Sequence, residues 1–504
     1  MPVQPSRRTV LASSAAGLAA VGVAASRTSD AASSAPKPLP VSHDPVLHAV
    51  RRLSFGATPE LLAHVRQVGI GAWVDQQLDG APDGGAIVHG TGLSSLPVAL
   101  PPTVQQMVAQ DLQHYGLTDL QAATFARAAF GDSQLYEVLV DVFTNHLSIY
   151  GPNVAPYKVV DDLEVVRKHT LGRFADMLAA SAKSPAMLLY LNQAYSYGRN
   201  PNENYARELL ELHTVGAKGG YTQRDVHNAA LALTGLSLNS DLGTYEYHPE
   251  RHYTGPVRVM GWSHANRTQS GGEDVALSLV DYLAHHPKTA ERIAMKLVKR
   301  FVSDSPPAAL IASAAKVYRA NDTAIVPVVK HILGSGAFAG SYGAKSQRPL
   351  EWFVAAVRLL KLQPDVTLTS DGYAVVSQLR ALGQAPFEWS PPNGYPDVAG
   401  AYASTATMLA RWNAVQALVN GRVHGLGAMD AATVLGTPVP TTAGAVVDRL
   451  STVLLGGRPR GALRQAVLTG CGATAGKVVD DAAAKRLAVP AAALLLSSPE
   501  AMVR

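Results

Sequence analysis

Apolar residues recur at helical spacing along most of this chain, and that periodicity limits the folds open to it. Helices are predicted at Pro59–Val68, Gly71–Leu78, Thr103–His114, Leu117–Tyr150, Asp161–Ser181, Glu273–His285, Lys288–Val302, Pro307–Ala320, Ile325–Gly334, Pro349–Leu362, Ala399–Asn420 and Asp481–Leu496. Strand signals are few, and the best is an alternation of Tyr and Val between Thr244 and Met260. The sequence predicts an all-α fold, a large multi-helix bundle with a small β-hairpin insertion near residues 244–260.

The first residues have the features of an export signal. Arg7 and Arg8 precede a mildly apolar run from Val10 to Ala25, which is shorter than the roughly 20 residues that span a bilayer. We expect a twin-arginine signal peptide over residues 1–35 and a disordered lead-in over 36–43. The protein would then be extracytoplasmic or secreted. No other stretch approaches membrane length, so we expect no membrane span in the mature chain.

Cysteine content and charge limit the classes of protein to which the chain could belong. The single cysteine, Cys471, excludes an intrachain disulfide, so the fold depends on its core. No long linker divides residues 44–504, for which we expect a single large helical domain with a possible core over 117–415 and a C-terminal helical buttress over 421–504. The net charge is +5, of which residues 1–38 contribute +3. The mature chain has no clustered basic stripe, and no nucleic-acid partner is expected.

Residues 201–236 hold the most varied polar chemistry of the chain. A helix is predicted from Pro201 to about His213, with Asn200 as its N-cap. A glycine turn follows, and Thr222 then caps a second helix. The first helix has a polar strip of Glu203, Arg207 and Glu211, flanked by Asn204 and Glu208. Such a strip either forms i,i+4 ion pairs on an exposed helix or serves as a functional face.

The glutamates of this strip are candidate acid/base groups. Glu208 and Glu211 are three residues apart, which places their Cβ atoms about 5–6 Å from each other on a helix. Retaining glycosidases use roughly that separation between their two carboxyl groups. Glu203 is the third catalytic candidate, and Glu203 or Glu351 could act from across a site. The alternative is that these glutamates form ion pairs with neighbouring basic residues.

A metal site is a second alternative. It would need three or four ligands, which could come from His146, Glu208, Glu211, His213 and His252. However, the region contains neither a Glu-x-x-His pair nor a His-Glu-x-x-His run. We therefore predict no cofactor and no metal ligand, with a divalent metal as the alternative.

Polar and aromatic residues elsewhere are candidates for binding a substrate. His146, His169 and the polar strip lie on three successive predicted helices, whose side chains could converge in a bundle. The loop Phe387–Pro396 combines aromatic, proline and asparagine residues, which suits a carbohydrate or peptide surface or, alternatively, a packing loop. The substrate-binding candidates are His146, His169, Asn202, Asn204, Arg207, His252, Trp389, Tyr395 and Arg411.

Several short motifs are spread over nearly the whole mature chain. They are Arg51–Gly56, Asn145-His146, Arg167–Gly172, Pro185–Leu191, Asn202–Gly235, His252, Arg348–Glu351, Leu382–Gln384, Pro391–Pro396 and Arg411–Asn413. The most specific is the run Asn-Glu-Asn-Tyr-Ala-Arg-Glu over residues 202–208. With these motifs the chain resembles a bacterial family, domain of unknown function 1800.

The resemblance implies an exported protein, often encoded beside a second exported family with a sulfatase- or phosphatase-like fold. It also implies work on an extracellular or envelope polymer. The chain departs from the family pattern at three positions, where Phe143 replaces a tryptophan, Leu231 an arginine and Tyr253 an aspartate. The last departure removes the carboxylate that would pair with His252.

These observations favour a hydrolase that acts on extracellular or cell-envelope polysaccharide. The alternative is a non-catalytic binding or assembly partner of a co-exported sulfatase- or phosphatase-like protein. If the protein is an enzyme of this kind, His146, His169 and Glu208 should line one concave pocket.

Overall fold

The structure, a computed structural model, describes residues 42–79, 115–239, 241–364 and 368–504. The predicted signal peptide over 1–35, residues 36–41 of the lead-in and the helix predicted at Thr103–His114 lie outside these ranges. The first described helices are α1 Pro45–Leu53, α2 Pro59–Val68, α3 Ile70–Leu78, α4 Tyr115–Phe130, α5 Gln134–His146, α6 Ala155–Asp161, α7 Phe174–Ala182 and α8 Pro185–Tyr190. A π-helix over Asp162–Arg167 continues α6.

Capping and glycine residues set the ends of these helices. Asp44 caps α1 by accepting a hydrogen bond from the N–H of Val46 at 2.9 Å, and Pro45 occupies the first helical position. The single helix predicted over Leu117–Tyr150 is wrong, because the chain breaks at Gly131 between α4 and α5. A Cβ at Gly131 would lie 2.4 Å from the carbonyl oxygen of Arg127, so this turn requires glycine.

The segment with the varied polar strip forms the predicted helix, turn and helix. Helix α9 spans Glu203–Glu208, a π-helix over Leu209–His213 extends it, and α10 spans Gln223–Leu233. Asn202 caps α9 instead of Asn200, so the predicted start is two residues too early. Thr222 caps α10 as predicted, in a capping box with Asp225.

Two small antiparallel hairpins follow α10. Strand β1, Leu236–Asn239, pairs with β2, Thr244–Tyr247, and β3, Val257–Val259, pairs with β4, Trp262–His264. The Tyr and Val strands of the predicted hairpin are both present but do not pair with each other. The Pro-Glu-Arg-His centre forms a 3-10 turn over Pro249–Arg251 instead of a hairpin loop. Each strand pairs with its nearer neighbour through a short turn.

The remaining helices form the C-terminal half. They are α11 Gly272–His285, α12 Pro287–Phe301, α13 Ala308–Ala320, α14 Ile325–Leu333, α15 Gly336–Ala339, α16 Pro349–Leu359, α17 Leu368–Ala381, α18 Thr405–Val419, α19 Ala431–Leu435, α20 Ala443–Leu455, α21 Gly461–Gly470 and α22 Asp481–Leu496. Short 3-10 helices lie at Gly151–Asn153, Gln193–Tyr195, Ala399–Tyr402 and Pro499–Met502.

One hydrophobic core joins these helices. Its buried residues run from Leu47 in α1 to Met502 near the C-terminus, and α12 packs against α13 within it. Helix α12 has a strongly one-sided apolar face, which includes Ile293, Leu297 and Phe301. The predicted fold class, an all-α bundle with a small β-hairpin insertion, is confirmed.

Candidate functional site

Glu203 lies in the first turn of α9 and joins α9 to α10. Its carboxylate accepts a hydrogen bond from Nε2 of Gln223 at 2.5 Å and lies 3.1 Å from Nδ1 of His227. Arg207, one turn along α9, lies 3.3 Å away. Glu203 and Arg207 therefore form the i,i+4 ion pair that the sequence allowed, within a network between two helices.

Asn202 and Asn204 hold the chain that enters α9. Oδ1 of Asn202 accepts a hydrogen bond from the N–H of Asn204 at 2.9 Å, which caps the helix. The amide nitrogens donate to carbonyl oxygens of the preceding turn, Asn202 to Asn192 at 3.0 Å and Asn204 to Leu191 at 3.2 Å. Both side chains thus fix the turn after α8 against α9.

Glu208 differs from Glu203 because its carboxylate has no partner. The side chain is half-buried, and it makes no hydrogen bond or ion pair with the residues that the structure describes. Burial raises the pKa of Glu208 and the nearby charge of Glu211 raises it further, against the opposing effect of Arg207. Glu208 therefore holds its proton to a higher pH than an ordinary glutamate, as a general acid must.

Glu211 links this strip to helix α12. Its carboxylate accepts a hydrogen bond from the Tyr221 hydroxyl at 3.1 Å. Arg292 of α12 donates from Nε to the carbonyl oxygen of Leu212 at 2.9 Å. Burial lowers the pKa of Arg292, and the charges of Glu211 and Tyr221 oppose that shift. The polar strip of α9 thus continues onto α12.

His146 and His213 lie below this strip and are fully buried. Nε2 of His146 lies 2.9 Å from the carbonyl oxygen of His213. Burial lowers the pKa of His146 well below its usual value and that of His213 to about 3, and the charges of Lys296 and Arg292 add to both shifts. Both rings are therefore neutral and closed to a polymer at the surface.

His169 lies apart from these histidines, in the turn after the π-helix over 162–167. It is half-buried, and burial lowers its pKa. The charge of Asp176 opposes that shift. None of His146, His169 and Glu208 lines the clefts beside Trp352, beside Phe387 or beside Lys296. The expectation that these three residues line one concave pocket is therefore wrong, and an acid at Glu208 would act without the two histidines.

His252 connects the hairpins to the end of α10. Its Nδ1 lies 2.6 Å from the carbonyl oxygen of Thr234, and its Nε2 lies 2.8 Å from Oδ1 of Asn266. Nδ2 of Asn266 donates to the carbonyl oxygen of Tyr253 at 2.7 Å. The buried ring thus forms structural contacts on both sides.

The aromatic loop, Phe387–Pro396, folds against the end of α5. The N–H of Tyr395 donates to Oδ1 of Asn145 at 3.0 Å, and the rings of Trp389 and Tyr395 lie 5.0 Å apart. Gly394 has a φ of +73°, and a Cβ there would lie 2.0 Å from the carbonyl oxygen of Asn145. The loop also meets α8, because the Tyr190 hydroxyl donates to the carbonyl oxygen of Ser390 at 2.6 Å.

Arg411 of α18 is buried and does not face this loop's surface. Its guanidinium donates to the carbonyl oxygen of Gln347 at 2.9 Å and lies 5.7 Å from the centre of the Trp352 ring. Burial lowers its pKa to about 10. Arg411 therefore supports packing between α16 and α18.

The aromatic loop, α5 and α12 enclose a cleft of about 260 Å³, which we call the lysine cleft. Its polar lining comes from Asp141, Asn145, Lys296, Lys299, Arg300, Arg348, Asn393 and Asp397. Tyr395 and Pro396 form an aromatic and apolar wall. Four cations and two carboxylates thus line one cleft. Three of the motifs that carry the family resemblance, those with Asn145, Arg348 and Asn393, meet there.

Lys296 and Lys299 are the cations of the lysine cleft without partners. Neither makes a hydrogen bond or ion pair with a described residue. Burial lowers the pKa of Lys296 to about 7, and the positive charge of Arg292 contributes, while Asp397 opposes the shift. Below about pH 7, Lys296 therefore carries a positive charge that no described carboxylate pairs with.

A buried ion cluster forms the floor of the lysine cleft. Glu351 contacts Arg300 and lies 3.0 Å from Arg348 and 3.1 Å from Arg504. Burial alone would raise the pKa of Glu351, but the three arginines hold it well below its usual range. Glu351 is thus ionised and enclosed, which suits a structural role.

Arg300 is part of both the floor and the cleft lining. It is only 1% exposed, and its Nη1 contacts Glu351, whereas Nε and Nη2 have no hydrogen-bond partner among the described residues. Its other carboxylate neighbours lie at the limit of ion pairing, Asp397 at 3.8 Å and Asp141 at 3.9 Å. Arg300 therefore retains donor capacity next to the cleft.

The sequence interpretation missed Lys296, Lys299, Arg300 and Asp397. One signal for them was available. Lys296 and Arg300 follow Ile293 at i+3 and i+7, which are positions of the apolar stripe of a helix. A charged residue in such a stripe is either paired or functional.

Among the residues that the structure describes, no group of three His, Cys, Asp or Glu side chains could hold a metal ion. No described helix is long and apolar enough to cross a membrane.

Comparison with known proteins gives one match. No curated protein and no solved structure matches the chain. A family model described as a protein of unknown function, DUF1800, matches residues 48–503, which is nearly the whole chain. The chain therefore belongs to the DUF1800 family.

Proposed function

We propose that this protein is an exported hydrolase that cleaves an extracellular or cell-envelope polysaccharide, with Glu208 as the acid. The observation that carries the proposal is the unpartnered, half-buried carboxyl of Glu208 with its raised pKa. Unpaired carboxyl groups with raised pKa values are typical of catalytic acids. Glu203 is already engaged by α10, so we assign it to positioning α9.

The reaction would use the neighbours of Glu208 in defined roles. Glu208 donates its proton to the glycosidic oxygen as the bond from that oxygen to the anomeric carbon breaks. A water molecule adds its oxygen to that carbon, and the proton that it releases passes to the Glu208 carboxylate, which restores the acid. Glu211 accepts a hydrogen bond from Tyr221, and its charge raises the pKa of Glu208.

The surroundings of Glu208 support a polymer substrate. Burial and the charge of Glu208 raise the pKa of Tyr190 to about 12. The Tyr190 hydroxyl donates a hydrogen bond to the aromatic loop. On the other side, Glu211 and Arg292 lead towards Lys296. Glu208 is thus near enough to Tyr190 and Glu211 for their charges to interact. Tyr395 lines the lysine cleft, and its ring, 5.0 Å from that of Trp389, offers a surface for sugar stacking.

The test is cleavage of a panel of polysaccharides, including peptidoglycan, by the purified mature protein, with new reducing ends as the readout. Glu208→Gln should abolish cleavage and leave the melting temperature unchanged, because Glu208 makes no hydrogen bond or ion pair with a residue that the structure describes. Glu164→Gln is a matched control, since Glu164 is an exposed helical glutamate that pairs only with Lys168 at 2.9 Å. Full activity of Glu208→Gln would refute the assignment, and a large loss of thermal stability would indicate a structural glutamate.

Export through the twin-arginine pathway is part of the proposal. Arg7 and Arg8 followed by a mildly apolar run support it. Replacing both arginines with lysine should retain the precursor inside the cell, as fractionation would show. Export that persists in this variant would argue against the pathway.

A second candidate function is assembly with a co-exported sulfatase- or phosphatase-like protein. Exposed apolar residues on α18 favour it, because Leu409 is 53% exposed and Trp412 is 48% exposed, one helical turn apart. Co-purification from cells that export both proteins tests this function. Leu409→Ser with Trp412→Ser should abolish co-purification, and unchanged recovery of the partner would refute it.

A further inference from the structure

The lysine cleft contains more positive charge than the fold requires. Below it, Glu351 already balances arginines, and Lys345 pairs with Asp304 at 2.6 Å and Asp397 at 3.0 Å. Lys296 and Lys299 stand outside these pairs. On a solvated helix face, water would stabilise unpaired lysines. Lys296 is instead largely removed from water, so its unpaired charge is costly.

A second observation points in the same direction. Arg300 is nine-tenths buried or more and lines the cleft, and two of its guanidinium nitrogens, Nε and Nη2, have no hydrogen-bond partner among the described residues, while Nη1 contacts Glu351. Leaving buried charged donors without acceptors costs free energy. A ligand with several oxygen acceptors would satisfy these donors.

We propose that the lysine cleft binds the anionic group of an acidic polysaccharide, a carboxylate or a sulfate ester on a sugar, through Lys296, Lys299 and Arg300. Both groups present the same chemistry, a negative charge spread over oxygen acceptors, which charge-assisted hydrogen bonds from lysine and arginine recognise. The inference deepens the proposed function, on which it rests, by naming the class of polymer.

The geometry of the cleft fits one charged sugar better than a flat macromolecular surface. Its volume of about 260 Å³ is just below the usual range for sites of drug-sized ligands, which suits one residue of a chain. Tyr395 and Pro396 form one wall, so a sugar ring can pack there while its anionic group faces α12. Asn393, which is exposed, offers its Nδ2 to sugar hydroxyls, while its Oδ1 accepts a hydrogen bond from Trp389.

The variants follow from the position of each lysine on α12. Lys296→Met and Lys299→Met keep the length of the side chain and remove its charge. Lys288→Met is the matched control on the same helix, because Lys288 is exposed and pairs with Glu291 at 2.8 Å outside the cleft. Melting temperatures of all three should stay near that of the unmodified protein, because none of these lysines holds the core together.

Binding is measured by calorimetry with oligosaccharides of three kinds, a uronic acid oligomer, a sulfated oligomer and a neutral oligomer of equal length. Glu208→Gln is the background for all titrations, so cleavage does not interfere. We expect binding of at least one acidic oligomer and none of the neutral one. Each cleft lysine variant should weaken binding about tenfold, and added salt should weaken it further. Whichever acidic oligomer binds identifies the anionic group.

The outcomes separate the two proposals. Equal binding of neutral and acidic oligomers, or unchanged affinity in Lys296→Met and Lys299→Met, would overturn the anion site even if the protein cleaves a polysaccharide. Binding of an acidic oligomer with the expected losses, combined with no cleavage of any polymer, would support the anion site and refute the hydrolase. Binding to none of the three oligomers would overturn the inference as well.

Discussion

At the scale of single residues, the environment of a charged group separates structural from functional candidates. Glu203 and Glu208 are on one short helix, and the sequence pattern does not distinguish their roles. Glu203 has three polar partners, whereas Glu208 has none and its pKa is raised. The same contrast separates Lys288, which pairs with Glu291, from the unpaired Lys296. Partners from distant segments decide these roles, so the spacing of residues along the helix could not predict them.

Anion affinity should depend on pH through Lys296. The groups that face this lysine are Arg292, Lys299 and Arg300 on its own helix, Asp141 and His146 from α5, His213 from the π-helix, Arg348 before α16, and Asp397 after the aromatic loop. Burial lowers the pKa values of both histidines, so neither gains a charge near neutral pH. With a pKa of about 7, Lys296 loses its proton and its attraction for anions as pH rises.

We therefore expect the dissociation constant for an acidic oligomer to rise several-fold between roughly pH 6 and pH 8. Calorimetry at a series of pH values measures it. Lys296→Met should bind weakly at every pH with a flatter profile, and Lys288→Met should keep the original slope. If Lys296→Met keeps that slope, Lys296 is not the titrating group.

At the scale of secondary structure, local signals predicted the existence of elements better than their exact bounds and pairing. Thr222 and the glycine turn before it correctly predicted the start of α10. The pairing of the strands could not be predicted, because alternation of apolar residues does not specify the partner strand. In the structure Tyr245 pairs with Leu238, and Val257 pairs with His264. The π-helix over 209–213 was also missed, because its extra residue leaves no mark in the apolar pattern. Such π-helices often occur at functional sites, and this one carries Glu211.

The aromatic loop offers a test of how an element shapes the lysine cleft. Gly394→Ala should destabilise the protein by about 2–4 kcal/mol and weaken binding of an acidic oligomer, because the added Cβ would clash with the backbone of Asn145 and the φ of +73° disfavours alanine. Urea denaturation and calorimetry measure the two effects. Gly400→Ala is the control, since a Cβ there meets nothing within 4 Å. Equal stability of the two variants would show that the loop can shift without cost.

At the scale of the whole molecule, distant segments meet in the buried ion cluster. Arg300 comes from α12, Glu351 from α16 and Arg504 from the C-terminal end, and Arg52 of α1 donates to the carbonyl oxygen of Arg504 at 2.9 Å. Helical periodicity predicted the all-α class, but no local pattern predicts which charges will meet across about 450 residues of chain. This is why the cluster and the lysine cleft above it were missing from the sequence interpretation.

Glu351→Gln should destabilise the protein by about 3–5 kcal/mol at pH 7, because it leaves three buried arginines without their shared carboxylate. The folded-state pKa of Glu351 lies well below its ordinary value of 4.5, so its stabilising effect is present above pH 4.5 and is lost as pH falls towards the lowered pKa. The difference between the two proteins in urea denaturation should therefore shrink in acid. A difference below about 1 kcal/mol at pH 7 would show that the cluster adds little stability.

We have proposed that an unpaired Glu208 cleaves a polysaccharide whose charge the lysine cleft holds. The most direct test is the release of reducing ends from a uronic acid or sulfated polymer and from its neutral counterpart by the mature protein. We predict cleavage of an acidic polymer, none of the neutral polymer, and no cleavage by Glu208→Gln at unchanged melting temperature. Equal cleavage by Glu208→Gln, or no cleavage of any acidic polymer by the unmodified protein, would contradict the claim.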